Sequence, residues 1–168
     1  MARHEPLQDL DTWSSHATPA LVLVGLILLT SLPMPIGQWP LPNLVLIAVY
    51  IASARRPKSL PAGLLFGLGL LHDLLGSTPI GLHALEYLVV HAIATQMRRA
   101  AQSFVALWVG FIPAVAIAAA MTWAVISLYH MVWVAPDLVL TRAVASALAF
   151  PALALPVLWL IGGHRNAA

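Results

Sequence analysis

Uncharged stretches separated by short polar clusters are the main pattern along this chain. Residues 17–54 and 100–136 contain no Asp, Glu, Lys or Arg. Proline-rich and glycine-rich turns interrupt the apolar sequence, because proline removes a backbone donor and breaks a helix interior. The pattern predicts a polar tail over residues 1–17 and an all-α fold, with helices at about 18–33, 42–54, 60–75, 79–97, 103–128 and 138–161.

Several of these helix ends carry recognisable signals. Thr18-Pro19 suits an N-cap followed by proline at the first helical position, and we expect Thr78-Pro79 to begin the fourth helix. Asp137 is expected to cap the sixth helix, because an acid at this position satisfies free backbone donors and the helix dipole. Trp39 lies in the first predicted turn, which is marked by Pro33, Pro35, Pro40 and Pro42.

Composition changes this picture from a helical protein to a helical membrane protein. Of 168 residues, 61% are hydrophobic and 8% are charged, and the mean hydropathy is +0.90. A soluble domain usually carries about a quarter charged residues. Six spans of roughly 20 residues would leave too few for a folded extramembrane domain. The absence of cysteine excludes disulfides, thiol catalysis and cysteine-ligated metals.

The few charges predict the orientation. With six spans and a cytoplasmic N-terminus, only Arg142 among the basic residues would lie on the outer side. The cytoplasmic side would hold the remaining basic residues, namely Arg3, Arg55, Arg56, Lys58, Arg98, Arg99 and Arg165. This distribution follows the positive-inside rule and predicts a multi-pass protein with both termini in the cytoplasm.

Ionisable residues within the third and fourth helices are the candidates for chemistry, because such groups are costly inside a membrane. They are His72 and Asp73, followed by His83, Glu86 and His91. In one interpretation, Asp73 and Glu86 pair with the histidines or with loop amides and fix the hairpin between these helices. In the other, they line a polar cavity or accept a basic group of a partner.

Small residues on the third helix give a second candidate feature. Gly63 and Gly67 form a G-x-x-x-G motif, with Gly69 following. Such motifs let membrane helices approach closely, and packing within the chain is favoured here over a dimer contact. No G-x-S-x-G, H-E-x-x-H or G-x-x-x-x-G-K-[ST] sequence is present, and no metal or cofactor is predicted.

The segment over residues 41–90 contains Leu41-Pro42-Asn43-Leu44 and Arg55-Arg56-Pro57. It also contains an apolar G-L-L-x-D-L-L pattern that leads into the turn Gly76-Ser77-Thr78-Pro79-Ile80-Gly81 and then into His83-Ala84-Leu85. In these residues the segment resembles the MreD family of rod shape-determining proteins. The family motif and candidate partner or structural site would comprise Pro42, Asn43, Arg56, Pro57, Asp73, Gly76, Pro79, Gly81, His83 and Glu86.

The resemblance implies a non-enzymatic inner-membrane component of the bacterial elongation machinery. Such a protein would bind MreC and act with MreB, RodA and a class B penicillin-binding protein in lateral peptidoglycan synthesis. Its fold would be similar to the substrate-binding subunits of energy-coupling-factor transporters. Two alternatives remain open: a small transporter or substrate-binding subunit with a polar cavity between helices 3 and 4, and an intramembrane hydrolase that uses His72 or Asp73.

Overall fold

All regular structure in the described part of the chain is helical. The computed structural model describes residues 19–32, 41–76, 78–98 and 103–162, with side chains to residue 156. The six α-helices are α1 (Pro19–Ser31), α2 (Leu44–Arg55), α3 (Ala62–Gly76), α4 (Leu82–Gln96), α5 (Phe104–Tyr129) and α6 (Asp137–Gly162). The predicted all-α class is confirmed, and apart from the start of α4 the described helix ends lie within about two residues of their predicted positions.

Some predictions fall on residues outside the described ranges. These are the tail over residues 1–17, the Thr18 cap, Trp39 with Pro33, Pro35 and Pro40, and the basic residues Arg3, Arg99 and Arg165.

Helix α2 is the centre of the bundle. Every residue from Val45 to Ala54 is buried, and the helix packs against α4, α5 and α6. Leu23 and Ile27 of α1 belong to the same hydrophobic core. A helix that is apolar on all sides is expected to be buried on all sides. With 12 residues, α2 is about 18 Å long, so it does not reach across the roughly 30 Å of a bilayer core.

The two C-terminal helices are much longer. Helices α5 and α6 each contain 26 residues. Among the described residues, α5 and the Asp137–Pro156 part of α6 are long and apolar enough to cross a membrane, whereas α1, α2 and α3 are apolar but shorter.

Formal charges in the described ranges separate to the two ends of the bundle. Arg55 is the last residue of α2, Arg56 and Lys58 follow it, and Arg98 follows the end of α4; we call this the basic end. The opposite end, which we call the acidic end, carries Asp73, Glu86, Asp137 and Arg142. Among the described basic residues, Arg142 alone therefore lies at the acidic end, which is the separation that the charge pattern predicted.

One predicted helix start, that of α4, and one predicted cap, Asp137 at α6, are wrong. Helix α4 begins at Leu82 rather than at Pro79, because the amide of Leu82 donates to the carbonyl of Pro79 (3.1 Å) and closes a turn before the helix. Gly81 caps α4 in the left-handed region (φ +98°), which glycine adopts without steric cost. At α6, the carbonyl of Pro136 accepts from the amide of Leu140, so Asp137 lies in the first turn rather than at the cap.

Candidate functional site

Asp73 joins the end of α3 to the start of α4. Its Oδ1 atom accepts from the Thr78 hydroxyl (2.9 Å) and from the His83 amide (3.1 Å), and it lies 2.7 Å from His83 Nδ1. Its Oδ2 atom accepts from the amide of Gly81 (2.8 Å). Asp73 is 1% exposed, so these four bonds satisfy a carboxyl group that has little access to solvent. Asp73 therefore pairs with His83 and with loop amides, as the first interpretation predicts.

The turn sequence explains why these donors converge on one side chain. Asp73 lies in the last turn of α3, and Gly81 and His83 flank the first residue of α4. The free amides at a helix start have no partners within their own helix. The left-handed Gly81 reverses the chain so that these amides face back toward α3. Asp73 thus caps α4 from the preceding helix.

A group of aromatic and imidazole rings lies beside Asp73. The rings of His72 and His83 are 4.1 Å apart, and His72 Nδ1 is hydrogen-bonded to the hydroxyl of Tyr87. Nε2 of His83 lies 4.0 Å from the Glu86 carboxyl, which agrees with the prediction that these residues share a helix face. His72 and Asp73 therefore have different partners, Tyr87 and His83 respectively. His91 lies apart from this group and bonds Ser53 of α2 (2.9 Å).

Glu86 lines a cavity instead of joining the Asp73 network. The cavity has a volume of about 140 Å³ and is lined from α2, α4, α5 and α6. Glu86 is 5% exposed, and its carboxyl makes no hydrogen bond within the described ranges. The predicted cavity between helices 3 and 4 is therefore placed wrongly, because α3 packs directly on α4 and contributes no lining residue.

The predicted packing role of Gly63 and Gly67 within the chain is also wrong. A Cβ atom added at either position would meet no atom within 4 Å, and both glycines are exposed. Gly69 is the glycine that permits close approach, because a Cβ there would collide with the backbone of Ala84 and His83. Gly63 and Gly67 instead lie on an outer face of α3 together with Phe66 and Leu74, all of them exposed. We call these four residues the α3 face.

The other motif residues occupy helix ends. Asn43 caps α2, with its side chain accepting from the amide of Leu46 (3.1 Å), and Pro42 precedes it. Arg56 follows the end of α2 and Pro57 begins the 3-10 turn Pro57–Ser59. Gly76 is the last residue of α3.

Three residues near the site were not predicted. Tyr87 is buried and binds His72, Ser146 accepts from the amide of Asn43 (2.8 Å), and Arg142 lines the cavity with Glu86. Of these three, only Arg142 could have been found from the sequence, because it is the one basic residue outside the predicted cytoplasmic side.

In the described part of the chain, no group of three or more His, Asp or Glu residues is arranged to hold a metal ion. The chain was also compared with family models, with curated proteins and with solved structures. None of the three comparisons gives a match.

Proposed function

We propose that this protein is a non-enzymatic scaffold in the bacterial inner membrane that binds MreC within the cell-elongation complex. In this role it supports rod shape and lateral peptidoglycan synthesis together with MreB, RodA and a class B penicillin-binding protein. The observation that carries the proposal is the hydrogen-bond network of Asp73. Its members Asp73, Gly81 and His83 are residues on which the resemblance to the MreD family rests.

The separation of charges supports a multi-pass membrane location. The basic end suits the cytoplasmic side under the positive-inside rule, and both termini would then be cytoplasmic. Helices α5 and α6 provide apolar length for the bilayer. The short α2 is compatible with this location, because it contacts other helices on all sides and need not match the lipid thickness.

The α3 face is the surface we assign to the spanning helix of MreC and its juxtamembrane residues. Gly63 and Gly67 are one turn apart, and their lack of side chains lets another helix approach the backbone. Phe66 lies between them and is 46% exposed. Because Asp73 and His83 are buried, they would act by holding the hairpin that presents this face, without touching the partner themselves.

Leucine substitutions on the α3 face test the proposal. Gly67→Leu and Gly63→Leu fill the space that a partner helix would occupy, and Gly25→Leu on α1 is the matched control, since Gly25 is equally open. The assay is co-purification of MreC with the tagged protein from membranes. We expect Gly67→Leu to reduce the recovered MreC at least about tenfold, with Gly25→Leu at the wild-type level. Equal recovery with all three variants would reject the α3 face as the docking surface.

Replacing Asp73 tests the positioning role separately. Asp73→Ala should lower MreC recovery by disturbing the hairpin, and it should also lower the stability of the isolated protein. Gly67→Leu should lower recovery alone. Normal MreC binding by a destabilised Asp73→Ala variant would show that the hairpin between α3 and α4 does not position the docking surface.

The transporter or substrate-binding alternative is less favoured by the geometry. Helices α3 and α4 meet at Gly69 and Ala84, where a polar cavity had been expected. The polar cavity that Glu86 lines has a volume of about 140 Å³, which by itself is smaller than the roughly 300–1,000 Å³ of sites for drug-sized ligands.

A further inference from the structure

The cavity at the acidic end is lined by two side chains of opposite charge that make no hydrogen bond to each other. Glu86 on α4 and Arg142 on α6 both line it. The Glu86 carboxyl is nearly inaccessible, and its nearest ionisable partner is His83 Nε2 at 4.0 Å. Neither Glu86 nor Arg142 makes a side-chain hydrogen bond to any residue in the described ranges. A buried carboxyl without a hydrogen-bond donor is costly, so a donor from a ligand would be stabilising.

Four other polar residues line the cavity, and three of them, Asn43, His83 and Ser146, are already engaged, while Thr122 adds a neutral hydroxyl. The Asn43 side chain accepts from the amide of Leu46, and the Ser146 hydroxyl accepts from the amide of Asn43 and donates to the carbonyl of Arg142. These bonds fix the wall of the cavity, and the Glu86 carboxyl and the Arg142 guanidinium are the two charged groups left for recognition. A ligand that complements both groups carries a cationic donor and an anionic acceptor.

The space next to the cavity is larger and apolar. A groove of about 450 Å³ lies between α5 and α6. It is lined almost entirely by aliphatic side chains, together with Trp123 and Pro136. It shares four lining residues with the cavity, namely Val115, Ala119, Val139 and Ala143. A small polar space beside a larger apolar one fits an amphiphile better than a wholly polar metabolite.

We propose that this site binds an aminophospholipid. The primary ammonium of the headgroup donates to Glu86, the phosphate accepts from Arg142, and an acyl chain lies in the groove between α5 and α6. Phosphatidylethanolamine has this combination of groups. Phosphatidylglycerol has no ammonium group, and phosphatidylcholine has a quaternary ammonium that carries no N–H donor. The proposal rests on the membrane location in the proposed function but does not require MreC binding.

Native mass spectrometry of the full-length protein in detergent tests the proposal. The probes are phosphatidylethanolamine, phosphatidylglycerol and phosphatidylcholine with identical acyl chains, together with free phosphoethanolamine. We expect phosphatidylethanolamine to bind at least about tenfold more tightly than the other two lipids, because charge-assisted hydrogen bonds are the stronger class. Equal binding of the three lipids would overturn the proposal. Binding of free phosphoethanolamine as tight as that of the lipid would also overturn it, because the acyl chain would then contribute nothing.

Isosteric variants locate the binding site. Glu86→Gln should remove the preference for phosphatidylethanolamine, and Arg142→Gln should weaken the binding of both phosphatidylethanolamine and phosphatidylglycerol. Asp137→Asn is the matched control, since Asp137 lies at the same end but does not line the cavity. A wild-type preference in the Glu86→Gln variant would refute the assigned role of Glu86.

The lipid series on the wild-type protein tests the proposal even if a variant cannot be purified. MreC recovery is measured in parallel, so failure of lipid binding and failure of the scaffold role remain distinguishable.

Discussion

Replacement of Asp73 by alanine removes the acceptor of four hydrogen bonds at the turn between α3 and α4. The Thr78 hydroxyl can rotate toward other acceptors, but the amides of Gly81 and His83 are fixed by the start of α4. A buried donor left without a partner costs about 1–3 kcal/mol, and the amides of Gly81 and His83 are two such donors. We therefore expect Asp73→Ala to lower the free energy of unfolding by about 2–6 kcal/mol.

The matched control is Asp137→Ala. Asp137 is exposed in the first turn of α6, where an acid contributes about 0.3–1 kcal/mol through the helix dipole. Asp73→Asn should fall between the two, because the amide keeps one acceptor oxygen and places an NH₂ group against one of the donors. The measurement is the free energy of unfolding in mixed micelles, followed by ellipticity during titration with sodium dodecyl sulfate. A loss for Asp73→Ala no larger than that for Asp137→Ala would refute the reasoning.

Two further predictions concern close approaches inside the bundle. Gly69→Ala should destabilise the protein by about 1–3 kcal/mol or more, because its Cβ would collide with the α4 backbone. Gly67→Ala should be neutral or stabilising by about 0.5–1 kcal/mol. Unfolding titrations compare the two variants, and equal effects would contradict the α3–α4 packing. Tyr50→Phe should be neutral or stabilising, because the buried Tyr50 hydroxyl has no hydrogen-bond partner among the described residues. Tyr50→Phe should also restore the stability that Gly110→Ala loses, because the Cβ of that alanine would lie 2.6 Å from the Tyr50 hydroxyl. A double-mutant cycle that shows no coupling between the two positions would contradict this contact.

The positions of the helices along the chain could be predicted from the sequence, because each helix is an uncharged run that a polar cluster or a turn separates from the next. The start of α4 was misplaced because Thr78-Pro79 has the local features of a helix start, while Gly81 determines the backbone path by adopting a positive φ. Local propensity alone does not distinguish a turn that precedes a helix from the helix itself. The pairing of Asp73 with His83 could be anticipated, because a short turn brings the end of one helix to the start of the next.

Features that depend on packing could not be read from the sequence. Helix α3 is apolar on most sides, so periodicity does not tell whether Gly67 or Gly69 faces α4. The sequence also does not show that α2 lies at the centre of the bundle, because a helix surrounded by lipid and a helix surrounded by other helices have the same apolar pattern. Glu86 was expected near His83, but its cavity is completed by Arg142, which is distant in sequence and is brought there by α6.

Site-specific photo-crosslinking in membranes tests the scaffold proposal most directly. A photoreactive residue replaces Phe66 at the centre of the α3 face, and the control position is Leu148 on α6, which is 70% exposed. The account predicts a crosslink from position 66 to the spanning segment of MreC, lost in the Gly67→Leu background, and none from position 148. Crosslinking from position 148 alone, or equally from both positions, would contradict the proposal that α3 presents the docking surface.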